Sequence, residues 1–270
     1  MNVAVIGLGK LGSSLAAVFA AKGHHVIGTD VSENAVAKLN AGQEPVFEQG
    51  LAELIAANSD RLEATVDTAE AIVACDISFV IVPTPSSEDG SFSLDYVRAA
   101  FQQVAAGLHR KSAYHVVVLV STVLPGSLRF GVLPALEEAV GRPVGDGYGV
   151  CYCPAFIALG NIISNFLNPD LILLGESDER AGAFVETFYA SVVGGDVPCQ
   201  RMSLENAELT KIALNSFVTM KITFANNIAQ ICERMPGGDV DIVTNALGLD
   251  ERIGRKYLKG GIGFGGPCFP

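Results

Sequence analysis

Short apolar runs alternate with helical stretches over the first 190 or so residues. Val3-Ala4-Val5-Ile6 opens the chain with the continuous apolar run of a strand buried on both faces. A helix over about 10–22 follows, ended by Gly23, and 25–29 forms a second strand that finishes at Asp30. Ser32 can cap a helix to about Asn40. After a loop from Gly42 to Gly50 come a helical segment at 51–57 and a short strand at 62–65. Further apolar strands are predicted at 76–82, 116–120, 149–153 and 171–174, with helices over 94–108 and 178–189. Alternation of this kind predicts an α/β fold built on a doubly wound parallel sheet.

The pattern changes at Ser203. From there to Met235 the sequence predicts one helix without an internal Gly or Pro, capped by Ser203, with Glu205 and Glu208 at its positive end and Pro236-Gly237-Gly238 to stop it. This divides the chain into a domain over 1–200 and a small helical domain over 201–270. Lys211 and Asn215 lie four apart and so share a helix face. Such a lysine either snorkels at the surface or polarises a substrate oxygen. The far face, 222–235, carries more apolar surface than a small domain can cover, which predicts a homodimer through this helix.

The turn Gly7-Leu8-Gly9-Lys10-Leu11-Gly12 follows the first strand without a gap. Gly7 permits the tight turn, Gly9 lets backbone approach a pyrophosphate, and Gly12 lets helix pack on strand, while the helix start at Lys10 and Leu11 aims N–H groups at phosphate. Asp30, eighteen residues past Gly12, falls where a Rossmann-like fold holds the ribose hydroxyls, and its charge favours NAD over NADP. Ligands of such sheets bind beyond the carboxyl ends of the strands. Pro83-Thr84-Pro85 therefore faces the cofactor, with Thr84 as the donor. The same rule puts Ser121 and Thr122 near the nicotinamide end; equally, they could cap the helix after Pro125.

Composition narrows the classes. With 49% hydrophobic and 17% charged residues the chain is compact, and a formal net charge of -11 disfavours nucleic acid or an anionic membrane as partner. No apolar run reaches the ~18 residues of a membrane helix, and Met1 leads directly into the first strand, leaving no room for a signal peptide. Six scattered cysteines fit a reducing cytoplasm, with no metal site expected. Cys151 and Cys153 share a strand face as buried structural thiols, and none of the four histidines is assigned a role. Cys268 differs: it sits in Gly263-Phe264-Gly265-Gly266-Pro267-Cys268-Phe269-Pro270, where free N–H groups can bind an oxyanion, and is a candidate nucleophile.

The ordered set Gly7 to Gly12, Asp30, Val82-Pro83-Thr84-Pro85, Ser121-Thr122-Val123, Lys211 with Asn215, and the closing Gly-rich cysteine motif resembles the UDP-glucose/GDP-mannose dehydrogenase family over the whole length given. The resemblance implies NAD-dependent oxidation of a nucleotide sugar's C6 alcohol to a carboxylate. It makes Cys268 the nucleophile, Lys211 and Asn215 the groups that hold the reacting oxygen, and Thr122 the residue that positions a water. Gly7, Gly9, Lys10, Leu11, Gly12, Asp30, Pro83, Thr84, Ser121 and Thr122 fall on the NAD side. Phe156, Ile157, Lys211, Asn215, Tyr257 and Gly265 fall on the substrate side.

Two departures stand out. Where the family reads Asn-Pro-Glu-Phe-Leu-x-Glu-Gly, this chain has Cys153-Pro154-Ala155-Phe156-Ile157-Ala158-Leu159-Gly160, so both acids are missing. The chain also stops two residues after Cys268, where the family continues into a second α/β domain; a fragment of a longer protein is expected. Two other readings remain at this point. One is a two-electron dehydrogenase of the β-hydroxyacid type, which needs no cysteine; the other is a non-catalytic NAD-binding module.

Overall fold

The computed structural model describes residues 1–87, 90–157 and 160–261. Contacts divide the chain into two compact units, 1–209 and 210–270.

The first unit is built on one eight-stranded sheet with strands β1 (Asn2–Ile6), β2 (His25–Thr29), β3 (Leu62–Thr65), β4 (Ile77–Val80), β5 (His115–Leu119), β6 (Tyr148–Tyr152), β7 (Ile172–Glu176) and β8 (Cys199–Ser203). Their order is β3-β2-β1-β4-β5-β6-β7-β8. The chain winds outward from β1 in both directions, so the order reverses between β1 and β4, where doubly wound sheets hold their ligands. All neighbours run parallel except β6 and β7, which pair antiparallel through Cys151 with Glu176 and Tyr152 with Gly175. Among its described residues their connection holds one helix, Ile162–Leu167, of six residues.

The helices of this unit are α1 (Lys10–Ala21), α2 (Glu33–Asn40), α3 (Leu51–Ala57), α4 (Thr68–Ala74), α5 (Asp95–Arg110), α6 (Leu133–Val140), α7 (Ile162–Leu167) and α8 (Glu179–Val192). A π-helical stretch, Ser127–Val132, leads into α6. Two apolar cores cover the two sheet faces. One packs α1 and α8 around Phe19, Phe79 and Phe188. The other packs α5 and α6 against Val117, Leu119, Tyr148 and Tyr152. Cys151 and Cys153 both lie buried in the first core, as residues two apart on one strand must.

At the amino end of β5, an interior strand, His115 is fully buried; its Nδ1 lies 2.9 Å from Cys75 O and its Nε2 2.9 Å from Ser78 Oγ. Buried Lys111 donates to Ile72 O, Val73 O and Cys75 O, closing the C-terminal end of α4. Desolvation first, and then Lys111 nearby, lower the pKa of His115 to about 4, although its bond to Cys75 O opposes the shift. In the unfolded chain the imidazole titrates near ~6.5, so between those values the unfolded state binds the extra proton. The stability His115 permits is therefore complete above about pH 6.5 and lost as pH falls toward 4. Urea unfolding is expected to give roughly 2 kcal/mol less stability at pH 5 than at pH 7, and His115→Asn should remove most of that slope.

The long helix α9 (Leu204–Cys232) starts in the first unit and continues into the second. Ser203 Oγ accepts from Asn206 N and caps it. In the second unit α10 (Val240–Leu247) follows, its N-terminus capped by Asp239. Lys221 donates to Ile253 O at 3.0 Å and Gly254 O at 3.1 Å. Asn226 accepts from Gly261 N at 2.9 Å and donates to Gly261 O at 3.3 Å, so side chains of α9 hold the segment that returns along it. Among the described residues no helix is long and apolar enough to cross a membrane.

Candidate functional site

β1 delivers the glycine turn to the reversal point of the sheet. Gly7 has φ +100°, donates its N–H to Thr29 O at 2.7 Å, and leaves no room for a side chain, since a Cβ there would meet Ile81 O at 2.1 Å. At Gly12 a Cβ would lie 1.7 Å from Gly7 O, so α1 packs on the turn only because that atom is missing. Leu8 turns inward and is buried, and Gly28 on β2 makes space for it. Buried Ser13 donates to Leu8 O at 2.7 Å and ties the first turn of α1 to the loop.

Gly9 is the opposite case. It is exposed, a Cβ there would meet nothing within 4 Å, and it begins α1 with no side-chain cap. Lys10 is exposed and Leu11 half-buried beside it. An uncapped helix start facing open space suits a diphosphate, which would bring its own acceptor oxygens to the first N–H groups. Asp30 adds the second contact. Its Oδ2 accepts from Leu8 N at 2.7 Å and its Oδ1 from Ser32 N at 2.8 Å, which fixes a half-buried carboxylate at the tip of β2 with lone pairs to spare for ribose hydroxyls. These residues fit a dinucleotide with a free 2′-hydroxyl.

The loops after β4 and β5 are bound to each other. Ser121 Oγ donates to Val82 O at 2.6 Å and accepts from Val82 N at 3.0 Å, and Thr84 Oγ1 donates to Thr122 O at 2.8 Å. The donor expected at Thr84 thus serves the protein's own backbone, as does the Ser121 hydroxyl, and a ligand would find acceptor lone pairs there. Pro83 stands exposed between them. Neither hydroxyl caps the stretch after Pro125. That role belongs to Glu208, whose carboxylate accepts from Gly126 N at 2.6 Å and Leu128 N at 2.9 Å. From its sequence position Glu208 reads only as a favourable charge at a helix start.

After β6 the chain splits its attention between the two cores: Ala155 packs on the first and Phe156 on the second. Ala155, Phe156 and Ile157 line a small apolar pocket with Phe166, Pro169 and Leu171. In the second unit Lys211 is buried and Asn215 half-buried, one turn apart on α9. Tyr257 is 55% exposed with φ +65°, the one described non-glycine residue in the left-handed region, where strain commonly marks function. Gly265 and Cys268 lie outside the described residues. Among the described residues no group of His, Cys, Asp and Glu could hold a metal ion.

The glycine turn, the open start of α1 and the held carboxylate at the tip of β2 define a dinucleotide-binding α/β protein. The chain belongs to the UDP-glucose/GDP-mannose dehydrogenase family: residues 1–193 match its NAD binding domain and residues 205–270 its central domain. NAD is accordingly the cofactor of the first unit. The chain is 41% identical over 273 residues to UDP-glucose 6-dehydrogenase AglM of Haloferax volcanii, covering all of this chain and 63% of that protein. It is 34% identical over 274 residues to GDP-mannose 6-dehydrogenase of Azotobacter vinelandii, covering all of this chain and 62% of that one. A UDP-glucose dehydrogenase structure from Pyrobaculum islandicum superposes with a TM-score of 0.91 at 40% identity, over 99% of this chain and 61% of that one. The chain therefore spans less than two thirds of the length of each of these three relatives.

Proposed function

We propose that the chain is the NAD-binding and central part of a nucleotide-sugar 6-dehydrogenase, which oxidises the C6 alcohol of a UDP- or GDP-linked sugar to the uronic acid. The observation that carries this reading is the family match through 205–270, a segment that includes Lys211 and Asn215 on α9 and closes on the Cys268 motif. Gly7, Gly9, Lys10, Leu11, Gly12 and Asp30 hold the adenosine diphosphate part of the cofactor, and Pro83, Thr84, Ser121 and Thr122 its nicotinamide side. NAD, when bound, supplies the hydride acceptor.

The chain's own residues do the rest. The alcohol loses a proton and a hydride to become an aldehyde, and Cys268 adds its sulfur to the carbonyl carbon to give a thiohemiacetal. Loss of a second proton and hydride leaves a thioester, and water then releases the acid and restores the thiol. Lys211 neutralises the developing oxyanion, Asn215 orients it, and Thr122 holds the water. Phe156, Ile157, Tyr257 and Gly265 contact the sugar nucleotide. Ala155 provides no carboxylate, so hydrolysis relies on another base and is the slow step. Incubation of the full-length protein with NAD and UDP- and GDP-sugars, with NADH read by absorbance, tests the reading.

The second partner is another copy of the chain. Phe217, Met220, Phe224, Ile231 and Met235 on or just after α9 are 46 to 59% exposed, and a groove beside them is lined by Thr219, Thr223 and Asn227. Covering this stripe favours a homodimer, and light scattering at micromolar concentration is expected to give twice the chain mass. A reducing cytoplasm is the compartment proposed for the chain, as the scattered spacing of the cysteines suggests.

A further inference from the structure

We infer that Glu208 is a positioning residue for the reaction, acting through the main-chain N–H groups of Gly126 and Leu128 to hold the loop that carries Thr122. The inference rests on the role proposed above for Thr122. Glu208 is fully buried on the first turns of α9, and its two oxygens reach the turn from 82 and 80 residues away at 2.6 and 2.9 Å. Gly126, at φ +85°, turns the chain so that both N–H groups face the carboxylate.

A buried charge is a costly way to cap a turn, since a serine or aspartate within the turn would do it at the surface. What the distant carboxylate adds is a fixed distance between two elements. The loop between β5 and the π-helical stretch is held at its start by Ser121 and Thr84 against the loop after β4, and at its end Glu208 holds it to α9 through main chain. Thr122 lies between these anchors. Arg129 adds an ion pair to Glu205 at 2.9 Å, but both side chains are more than a third exposed, so it contributes little to that placement. Glu208 itself contacts neither cofactor nor sugar in the proposed reaction, which makes its effect separable from binding.

The test uses the full-length protein with Glu208→Gln, Glu208→Asp and, as control, Arg129→Ala. Gln keeps the shape but turns an amide toward the N–H pair; Asp keeps the charge but falls short by a methylene. In cofactor-free protein, hydrogen exchange over 121–128 should be at least tenfold faster in both variants, with β1 and α1 unchanged. The NADH dissociation constant should stay within twofold while the bound NADH emission shifts, and kcat should fall at least tenfold. Arg129→Ala should match the wild type in all four. A Glu208 variant that opens the loop yet retains wild-type kcat and NADH emission would overturn the inference, as would unchanged exchange. If Glu208→Gln does not fold, Glu208→Asp decides by the same readings. No NADH from wild-type protein with any sugar would refute the proposed reaction alone, because exchange and NADH emission still judge Glu208.

Discussion

Gly12→Ala should abolish NAD binding. The added methyl would sit 1.7 Å from Gly7 O, and the nearest contact is backbone, which cannot rotate away as a flexible side chain would. Either α1 lifts from β1 or the glycine turn moves, and both displace the helix start from the phosphate position. Overpacking of this kind costs roughly 1–3 kcal/mol of stability or more, so the melting temperature should fall by several degrees. The larger effect is on the cofactor: calorimetric titration should show NAD affinity reduced at least about 100-fold, since helix-start and turn contacts are lost together. Gly9→Ala offers the contrast. Its Cβ meets nothing within 4 Å, so the protein keeps its melting temperature and loses affinity only through crowding of the ligand.

Cys268→Ser should remove nucleotide-sugar oxidation with NAD binding intact. An alcohol at that position is a far weaker nucleophile than a thiolate toward an aldehyde, and its adduct is a hemiacetal, whose oxidation would leave an ester, slower to hydrolyse than a thioester. A loss of roughly 10³-fold or more in kcat is expected, with the NAD dissociation constant within twofold of wild type. Retained turnover would favour a two-electron dehydrogenase that needs no cysteine. The two substitutions dissect the chain: the first acts on the cofactor unit, the second on chemistry alone.

Most of the sheet could be read from the sequence because strands buried on both faces are written as apolar runs. Val3 to Ile6, Val116 to Leu119 and the residues around Phe79 declared themselves in that way. Where burial is partial the signal fades. β8 reads Cys-Gln-Arg-Met-Ser because it is an edge strand with half-exposed residues, and α4, α7 and α10 are only six to eight residues long. The antiparallel pairing of β7 with β6 is a long-range choice that no periodicity records. β5 also begins one residue earlier than expected, at His115, and this buries an imidazole that reads as a loop residue.

The site divides along the same line. Gly7, Gly12 and Asp30 were legible because each does its work within one strand-turn-helix unit. Glu208 was not, because its partners lie 80 residues away, and an acid early in a helix ordinarily faces water. One signal was available: Leu204, one turn before it, and Ala207, beside it, are apolar and buried, so an acid stood where this part of the helix turns inward. The loop after β6 shows the converse, for the sequence revealed the missing carboxylates at Ala155 and Leu159, and Ala155, in the described part of that loop, lines an apolar pocket.

The most direct test of the central claim is a stoichiometry. The full-length protein, given excess NAD and limiting UDP-glucose or GDP-mannose, is followed by NADH absorbance and by mass analysis of the sugar product. The account predicts two NADH per sugar consumed with release of the free uronic acid; one NADH per sugar with free aldehyde as the product, or no NADH from either sugar, would contradict it.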